Sequence, residues 1–437
     1  MTDQYSLEHL WMPFSANRDF KSSPRLMNEA EGMYYKKQDG TPVLDGTAGL
    51  WCCNAGHSNK KIVDAIHQQA AKLDYAPSFQ MGHPLGFEAA QKLLQIAPSN
   101  DFQYVFFTNS GSESVDTALK IALGYQQHVG NSKKKILIGR NRSYHGVGFG
   151  GISVGGLPYN KNHFSLLPNV AHICDTHNPE QNAFSKGQPD WGKELADDLL
   201  RVIEKHGADQ IAAFITEPVA GSTGVLIPPK GYLERIRQIC TDHNILLIFD
   251  EVITGFGRLG DPFAAQHFNV EPDLITCAKG LTSGTVPMGA VIVKKEIYDA
   301  FQQGDQKVID LFHGYTYSAH PLASAAMIAA LDVYVNDGLF DHVNTLSPYW
   351  EEMCHSLNGT DHIIDIRNSG LVAGIEMNPR DEQPGARGYD IFTDAFHNYN
   401  LLIRITGDTI ALSPPLIAEK EHIDIIIETL RTIIPNH

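Results

Sequence analysis

The sequence predicts an α/β protein, with a mainly parallel central sheet, helices on both faces, and a smaller α+β unit. Two observations carry the large unit. Short, nearly continuous apolar runs recur at residues 104–108, 135–138, 211–216, 245–249, 274–278 and 288–293, the pattern of strands covered on both faces. Between them the apolar residues have helical period, as in Val115, Ala118, Leu119 and Ala122, or Leu233, Ile236, Ile239 and Cys240. Strand and helix in alternation give a parallel sheet sandwiched by helices. A third observation marks the smaller unit. Beyond a helix at 323–335 the strands become shorter, near 363–366, 372–376 and 401–405, and a final helix follows.

The first 60 residues are rich in Pro and Gly, and residues 32–45 read as two short strands about a Gln38-Asp39-Gly40 turn. The expected division is residues 1–60 joining the small domain, 61–322 as the large domain, and 323–437 as the small domain.

Charge narrows the function. Against 50 Asp+Glu stand 34 Lys+Arg, a net of −16. Nucleic acid and anionic membranes require clustered Lys and Arg, so neither is an expected partner. A small anion held at one local site remains compatible. No apolar run reaches the roughly 18 residues of a membrane helix. Met1 to Lys21 lack a basic-then-apolar leader, so a cytoplasmic protein is expected. The six cysteines contain no Cys-x-x-Cys pair and read as buried, reduced thiols. The twenty histidines show no metal spacing, His313 and His320 coming nearest, and no metal is expected.

Three phosphate-loop look-alikes fail on context. Gly187 to Lys193 has P-loop spacing, but Glu194 stands where a magnesium-binding Ser or Thr is needed. Gly146 to Gly151 and Gly255 to Gly260 both contain G-x-G-x-x-G. Neither joins a strand directly to a helix as a dinucleotide fingerprint must, and both read as turns.

A different constellation survives. Lys279 follows the run 274–278, and a lysine at the exit of a buried strand is partly desolvated, which favours its neutral, nucleophilic form. Asp250 ends the run 245–249, 29 residues earlier, a spacing that fits one strand–helix–strand crossover. Parallel pairing would then put both side chains on the carboxyl edge, where ligands bind. An amine able to form a Schiff base, beside a carboxylate able to face a heteroaromatic nitrogen, is what pyridoxal phosphate needs. Asn109-Ser110-Gly111-Ser112-Glu113 opens a helix after the strand 104–108. Its free N–H groups suit a phosphate, although Ser110 and Glu113 also read as a capping box. Tyr144 lies just past the run 135–138, where its ring could stack on a cofactor.

These residues, with Tyr-His-Gly at 144–146, Glu-Pro at 217–218, Phe-Asp-Glu-Val at 249–252 and Ala-Lys-Gly at 278–280, resemble the class III pyridoxal-phosphate aminotransferases. The likeness runs from about Met12 to the C-terminus. It is closest to the β-alanine–pyruvate, or omega-amino-acid–pyruvate, branch through Leu-Trp at 50–51, Asn-Ala-Gly-His at 54–57, Leu-Asp-Tyr at 73–75 and His-Gly-Tyr-Thr-Tyr-Ser-Ala-His-Pro at 313–321. The resemblance implies a fold-type I homodimer with shared active sites, either alone or as the unit of a tetramer. It implies Lys279 as the Schiff-base lysine, Asp250 as partner of the pyridine nitrogen, and Tyr144 and Val252 on the two ring faces. Gly111 and Ser112 would hold the phosphate, with Thr316 reaching it from the neighbouring subunit. Arg404 would clamp a substrate carboxylate, and Trp51 would line the pocket.

The implied activity moves an amino group from a β-alanine-like omega-amino acid or amine to pyruvate by ping-pong kinetics. The products would be L-alanine and an aldehyde, semialdehyde or ketone. Alternatives on the same scaffold are a 4-aminobutyrate or other omega-amine transaminase, or an aminomutase. Two positions depart from the branch: Asn109, where Asp is usual, and Ala411, where Gln is usual.

Overall fold

The structure is a computed structural model describing residues 6–437; residues 1–5 of the polar opening segment lie outside the described residues. Its named strands are β1 (Glu29–Glu31), β2 (Tyr34–Lys36), β3 (Pro42–Asp45), β4 (Phe102–Thr108), β5 (Ile136–Arg140), β6 (Val170–Ile173), β7 (Ile211–Thr216) and β8 (Leu246–Asp250). They continue with β9 (Leu274–Cys277), β10 (Gly289–Lys294), β11 (Ile363–Ser369), β12 (Val372–Met377), β13 (Leu401–Leu402), β14 (Arg404–Thr406) and β15 (Thr409–Leu412).

The central sheet has the order β4-β10-β9-β8-β7-β5-β6. β10 runs antiparallel to β4 and β9, and the other pairs are parallel. Every residue of β7, β8 and β9 is buried. Alternate residues serve opposite layers because a strand's side chains alternate. Ala213, Ile215 and Ile248 pack with Val115, Ala118, Leu119 and Ala122 of helix Gly111–His128. Phe214, Leu247 and Phe249 pack with Leu233, Ile236 and Ile239 of helix Tyr232–Asp242. Helices thus cover both faces, and the functional residues are left to the sheet edge.

The chain's two ends meet. β13 pairs in parallel with β3, Leu401 opposite Leu44, completing a sheet β1-β2-β3-β13. A third sheet, β11-β12-β15-β14, carries Arg404. Helix Pro321–Asn336 packs along helix Lys60–Lys72. Among the described residues no single helix is long and apolar enough to cross a membrane.

Four expectations need correction. The apolar stretch 401–405 is not one strand: it breaks at Ile403, β13 going to the N-terminal sheet and β14 to the third. β6 is absent from the expected list because it is a half-buried edge strand, and His172 interrupts its apolar pattern. The glycines at 146–151 lead into a short helix, Phe149–Val154, rather than a turn. They are there for close packing: a side chain at Gly148 would place its first carbon 2.2 Å from the Asp116 carboxylate, which accepts the Gly151 N–H at 2.8 Å. Lastly, Cys240, Cys277 and Cys354 are buried, but Cys52, Cys53 and Cys174 are half-buried because they lie in loops near surfaces and clefts. Gly255 to Gly260 is a turn, and a short 3-10 helix follows the segment 187–192 with no strand before it.

One guanidinium joins three segments. Arg258, fully buried, donates to Pro414 O at 2.6 Å, Leu371 O at 3.2 Å and Asn54 Oδ1 at 3.0 Å. Burial lowers its pKa to about 10, with Tyr334 and Asp45 acting the other way, and the three oxygens take up its hydrogen bonds. Replacing Arg258 with Met would keep the bulk but strand buried acceptors, at about 3 kcal/mol. The expected result in thermal unfolding is a clearly lower midpoint, whereas an unchanged midpoint would mean these bonds contribute nothing net.

Candidate active site

Parallel pairing decides which residues meet. β5, β7, β8 and β9 end on the same edge, with Arg140, Thr216, Asp250 and Cys277 as their last residues. Asp250 lies opposite Thr276 in register, so Lys279 emerges just beyond it on the neighbouring strand. Here a cavity of about 130 Å³ opens, lined by Lys279, Asp250, Tyr144, Gly111, Ser112, Val252 and also His145, Gly146, Glu217 and Ile253.

Lys279 sits at φ 52°, a left-handed conformation that turns the chain sharply as the strand ends. Its amine makes no hydrogen bond or ion pair among the described residues. Burial, the main cause, lowers its proton affinity, and the Arg404 charge acts in the same direction; Cys52, Asp250 and Glu217 oppose. The result is an amine biased toward its nucleophilic form.

Asp250 is firmly held. Its Oδ1 accepts from Val252 N–H and Thr276 Oγ1, each at 3.2 Å, and its Oδ2 bonds His145 Nδ1 at 2.7 Å. A carboxylate only accepts, so Nδ1 carries the proton. Each oxygen has two lone pairs, which leaves Oδ2 able to take a second donor. His145 is buried and its Nε2 has no partner.

At the start of helix Gly111–His128, Ser110 Oγ accepts the Glu113 N–H at 3.2 Å, and Glu113 Oε2 accepts the Asn109 N–H at 2.7 Å. The cap therefore occupies Ser110 and Glu113 but not the Gly111 and Ser112 N–H groups, which have no intrahelical acceptor. Ser112 Oγ accepts from Val147 N–H at 3.0 Å, which leaves its own proton to donate. A side chain at Gly111 would put its first carbon 2.8 Å from Val252 Cγ1. The glycine is what lets Val252 border the cavity.

The remaining expected residues stand further out. Trp51, 2 % exposed, is not among the residues lining this cavity; its ring lies close to Gly221, which also neighbours the cavity-lining Ile253. Arg404 is paired across the strands with Ala411, so the departure from Gln is directly opposite the arginine. Its Nε is buried without a partner, burial lowers its pKa, and its charge is felt by Tyr144 and Lys279. Thr316 does not line the cavity of its own chain; it sits in an exposed loop where its carbonyl accepts from Tyr75 Oη at 3.2 Å.

In the sequence Glu217 and His145 stand only inside motifs, without roles. Glu217 follows the buried run 211–216 as Asp250 ends the run 245–249, so the same strand-end argument could have found it. His145 carried no such signal, because it meets Asp250 only when the loop after β5 folds across the edge. A larger cleft, about 810 Å³, lies at the opposite edge. Of its cations, Arg237 is paired with Asp273 and Lys294 with Glu271, and Lys134 donates to the Asn244 carbonyl at 2.7 Å. Among the described residues, His177, Asp365 and Glu376 come close enough to share a metal, but Arg367 already bridges the two carboxylates.

Comparison with known proteins follows the same lines. The "Aminotransferase class-III" family profile matches residues 15–434. The chain is 58% identical to an omega-aminotransferase of Caulobacter vibrioides, over 98% of this chain and 97% of that protein. It is 46% identical to the beta-alanine–pyruvate aminotransferase of Pseudomonas aeruginosa, over 98% and 96%. Among solved structures it is similar to the omega transaminase of Pseudomonas jessenii in complex with PMP, with a TM-score of 0.91, 30% identity, and coverage of 99% and 98%.

The lowered proton affinity of Lys279 has a measurable consequence. With limiting acetic anhydride at neutral pH, peptide mapping is expected to show Lys279 acetylated ahead of exposed lysines such as Lys60 in the cofactor-free protein. Its labelling rate should level off below the ordinary lysine range near 10.4. A rate that still climbs through that range would contradict the desolvation account.

Proposed function

The chain belongs to the class III aminotransferases, and on that premise we propose that it is a pyridoxal-phosphate enzyme transferring an amino group from an omega-amino acid or amine to pyruvate. The observation that carries the reading is Lys279 and Asp250 at adjacent parallel strand ends, facing one cavity beside a helix N-terminus. Its nearly full-length similarity to the omega-aminotransferase and the beta-alanine–pyruvate aminotransferase supports the donor and acceptor classes.

The residues present fit pyridoxal phosphate. Gly111 and Ser112 offer free N–H groups, a hydroxyl proton and the positive end of the helix dipole to its phosphate. Asp250, with lone-pair capacity left on Oδ2, would hold the ring nitrogen protonated. Tyr144 and Val252 would cover the ring faces. When bound, the cofactor supplies an aldehyde that accepts the amino group and a ring that withdraws electrons from the substrate carbon.

Lys279 would then have two tasks. Its amine would anchor the cofactor, and the same amine, once free, would take a proton from the substrate carbon as general base and give it back as general acid. A desolvated amine suits both. Arg404 would present its planar fork to a carboxylate, on donor and keto-acid acceptor in turn. Its buried Nε has no partner, and among the described residues no carboxylate pairs with the guanidinium.

We read the assembly as a homodimer that shares its sites, Thr316 acting on the neighbouring subunit. Phe79, Met81, Phe87, Phe312 and Tyr317 are all more than half exposed and surround the Thr316 loop, a surface that a second copy would cover. The protein is expected to act in the cytoplasm.

The test is a donor panel with pyruvate: β-alanine, 4-aminobutyrate, taurine and 1-phenylethylamine, with alanine formation measured. Failure with pyruvate alongside success with 2-oxoglutarate would overturn the acceptor assignment. Lys279→Ala is expected to lose the visible cofactor band and at least about 10²–10⁴-fold in turnover, without loss of fold. Arg404→Ala should raise KM about 10- to 100-fold for carboxylate-bearing donors and little for 1-phenylethylamine. Equal losses on both would make the arginine structural.

A further inference from the structure

The order of the central sheet places four ionisable groups in a row along its carboxyl edge. Lys279, Asp250, Glu217 and Arg140 stand at the ends of β9, β8, β7 and β5, which are consecutive neighbours. The two outer groups are nitrogen bases, an amine and a guanidinium, and the two inner ones carboxyls. Arg140 is fully buried, and none of its three side-chain nitrogens has a hydrogen-bond partner. Its charge therefore compensates its surroundings through space rather than by closing an ion pair.

The two carboxyls are supplied very differently. Asp250 receives three hydrogen bonds. Glu217, 5 % exposed, receives one, from the Tyr144 N–H to its Oε2 at 3.1 Å. An anion with one donor and little water is poorly stabilised, and a second carboxylate beside it adds repulsion. Burial first, and then Asp250, push its pKa up to about 7; His145, Arg140 and the Tyr144 N–H act the other way. Lys279 and the Tyr144 phenol also feel its charge. These are the charged and titratable groups that face it from β5, the loop after β5, β8 and the segment after β9.

We propose that Glu217 is a positioning residue: by gaining or losing its proton it sets the electrostatic potential at Asp250, Lys279 and the cofactor's ring nitrogen. This rests on the cofactor reading above. Through its Tyr144 contact it also holds the ring-stacking residue in place, in either protonation state, because a neutral acid still accepts an N–H. Above about pH 7 the charged form adds a second negative group behind Asp250 and favours protonated species in the site. Below it, that contribution is lost.

The test titrates the visible band of the pyridoxal-phosphate holoenzyme from pH 5 to 10 in wild type, Glu217→Gln and Glu217→Asp. Gln keeps an acceptor for the Tyr144 N–H and removes only the charge. The expected result is a band midpoint about one pH unit lower in Glu217→Gln, with partial restoration by Asp. A midpoint unmoved in a Gln variant of wild-type melting temperature and cofactor affinity would overturn the proposal. If the Gln variant does not fold, infrared spectra of wild type labelled with ¹³C-glutamate decide. Glu251 is a second buried acid with its pKa pushed up to about 7, so the spectra are compared with labelled Glu217→Asp. A carboxylic-acid stretch that fades as pH rises through about 7 and is lost in that variant supports the proposal. One that persists in it, or no such stretch in wild type, overturns it. A wild type that gives no visible band with added pyridoxal phosphate would overturn both this and the cofactor reading.

Discussion

The structure depends on one constraint, the parallel alignment of β5, β7, β8 and β9 so that all four end on the same edge. Parallel strands require their connections to cross over the faces, and the helices that do so bury both sides of the sheet. Fully buried strands can carry polar chemistry only where they stop. Asp250, Glu217, Arg140 and Lys279 are found at just those stops. Core formation and site formation are therefore the same event.

The site also explains how an acidic chain can bind anions. A net charge of −16 describes the exterior. The candidate phosphate site uses N–H groups at a helix start and a hydroxyl, which contribute no net charge, and the candidate carboxylate site uses a single half-buried arginine whose Nε is out of water. Local dipoles and desolvated charges act strongly over a few ångströms, whereas exterior charge is screened over about 8–10 Å. The two levels of electrostatics are nearly independent.

Small-domain residues approach this edge because the chain closes on itself. β13 pairs with β3, and Arg258 ties the loop after β8 to carbonyls at Leu371 and Pro414 and to Asn54. Thr406 Oγ1 donates to Ser222 O at 2.8 Å, linking the end of β14 to the loop beyond Glu217. Arg404, two residues from that contact, is held relative to the cavity by bonds that span most of the sequence.

The sequence by itself determined the alternating architecture, the buried strands, and the pairing of Lys279 with Asp250. Each of these is written in local hydrophobic pattern and in short spacing, which a single chain displays directly. It also held the family likeness through its motifs. Only the tertiary structure decided the split of 401–405 between two sheets, the edge strand β6, and the helix packed on Asp116. It alone showed His145 against Asp250, and Glu217 as a nearly dry carboxyl beside it. Those features depend on which distant segments become neighbours and on how much water is left between them, and neither quantity is carried by any stretch of residues read alone.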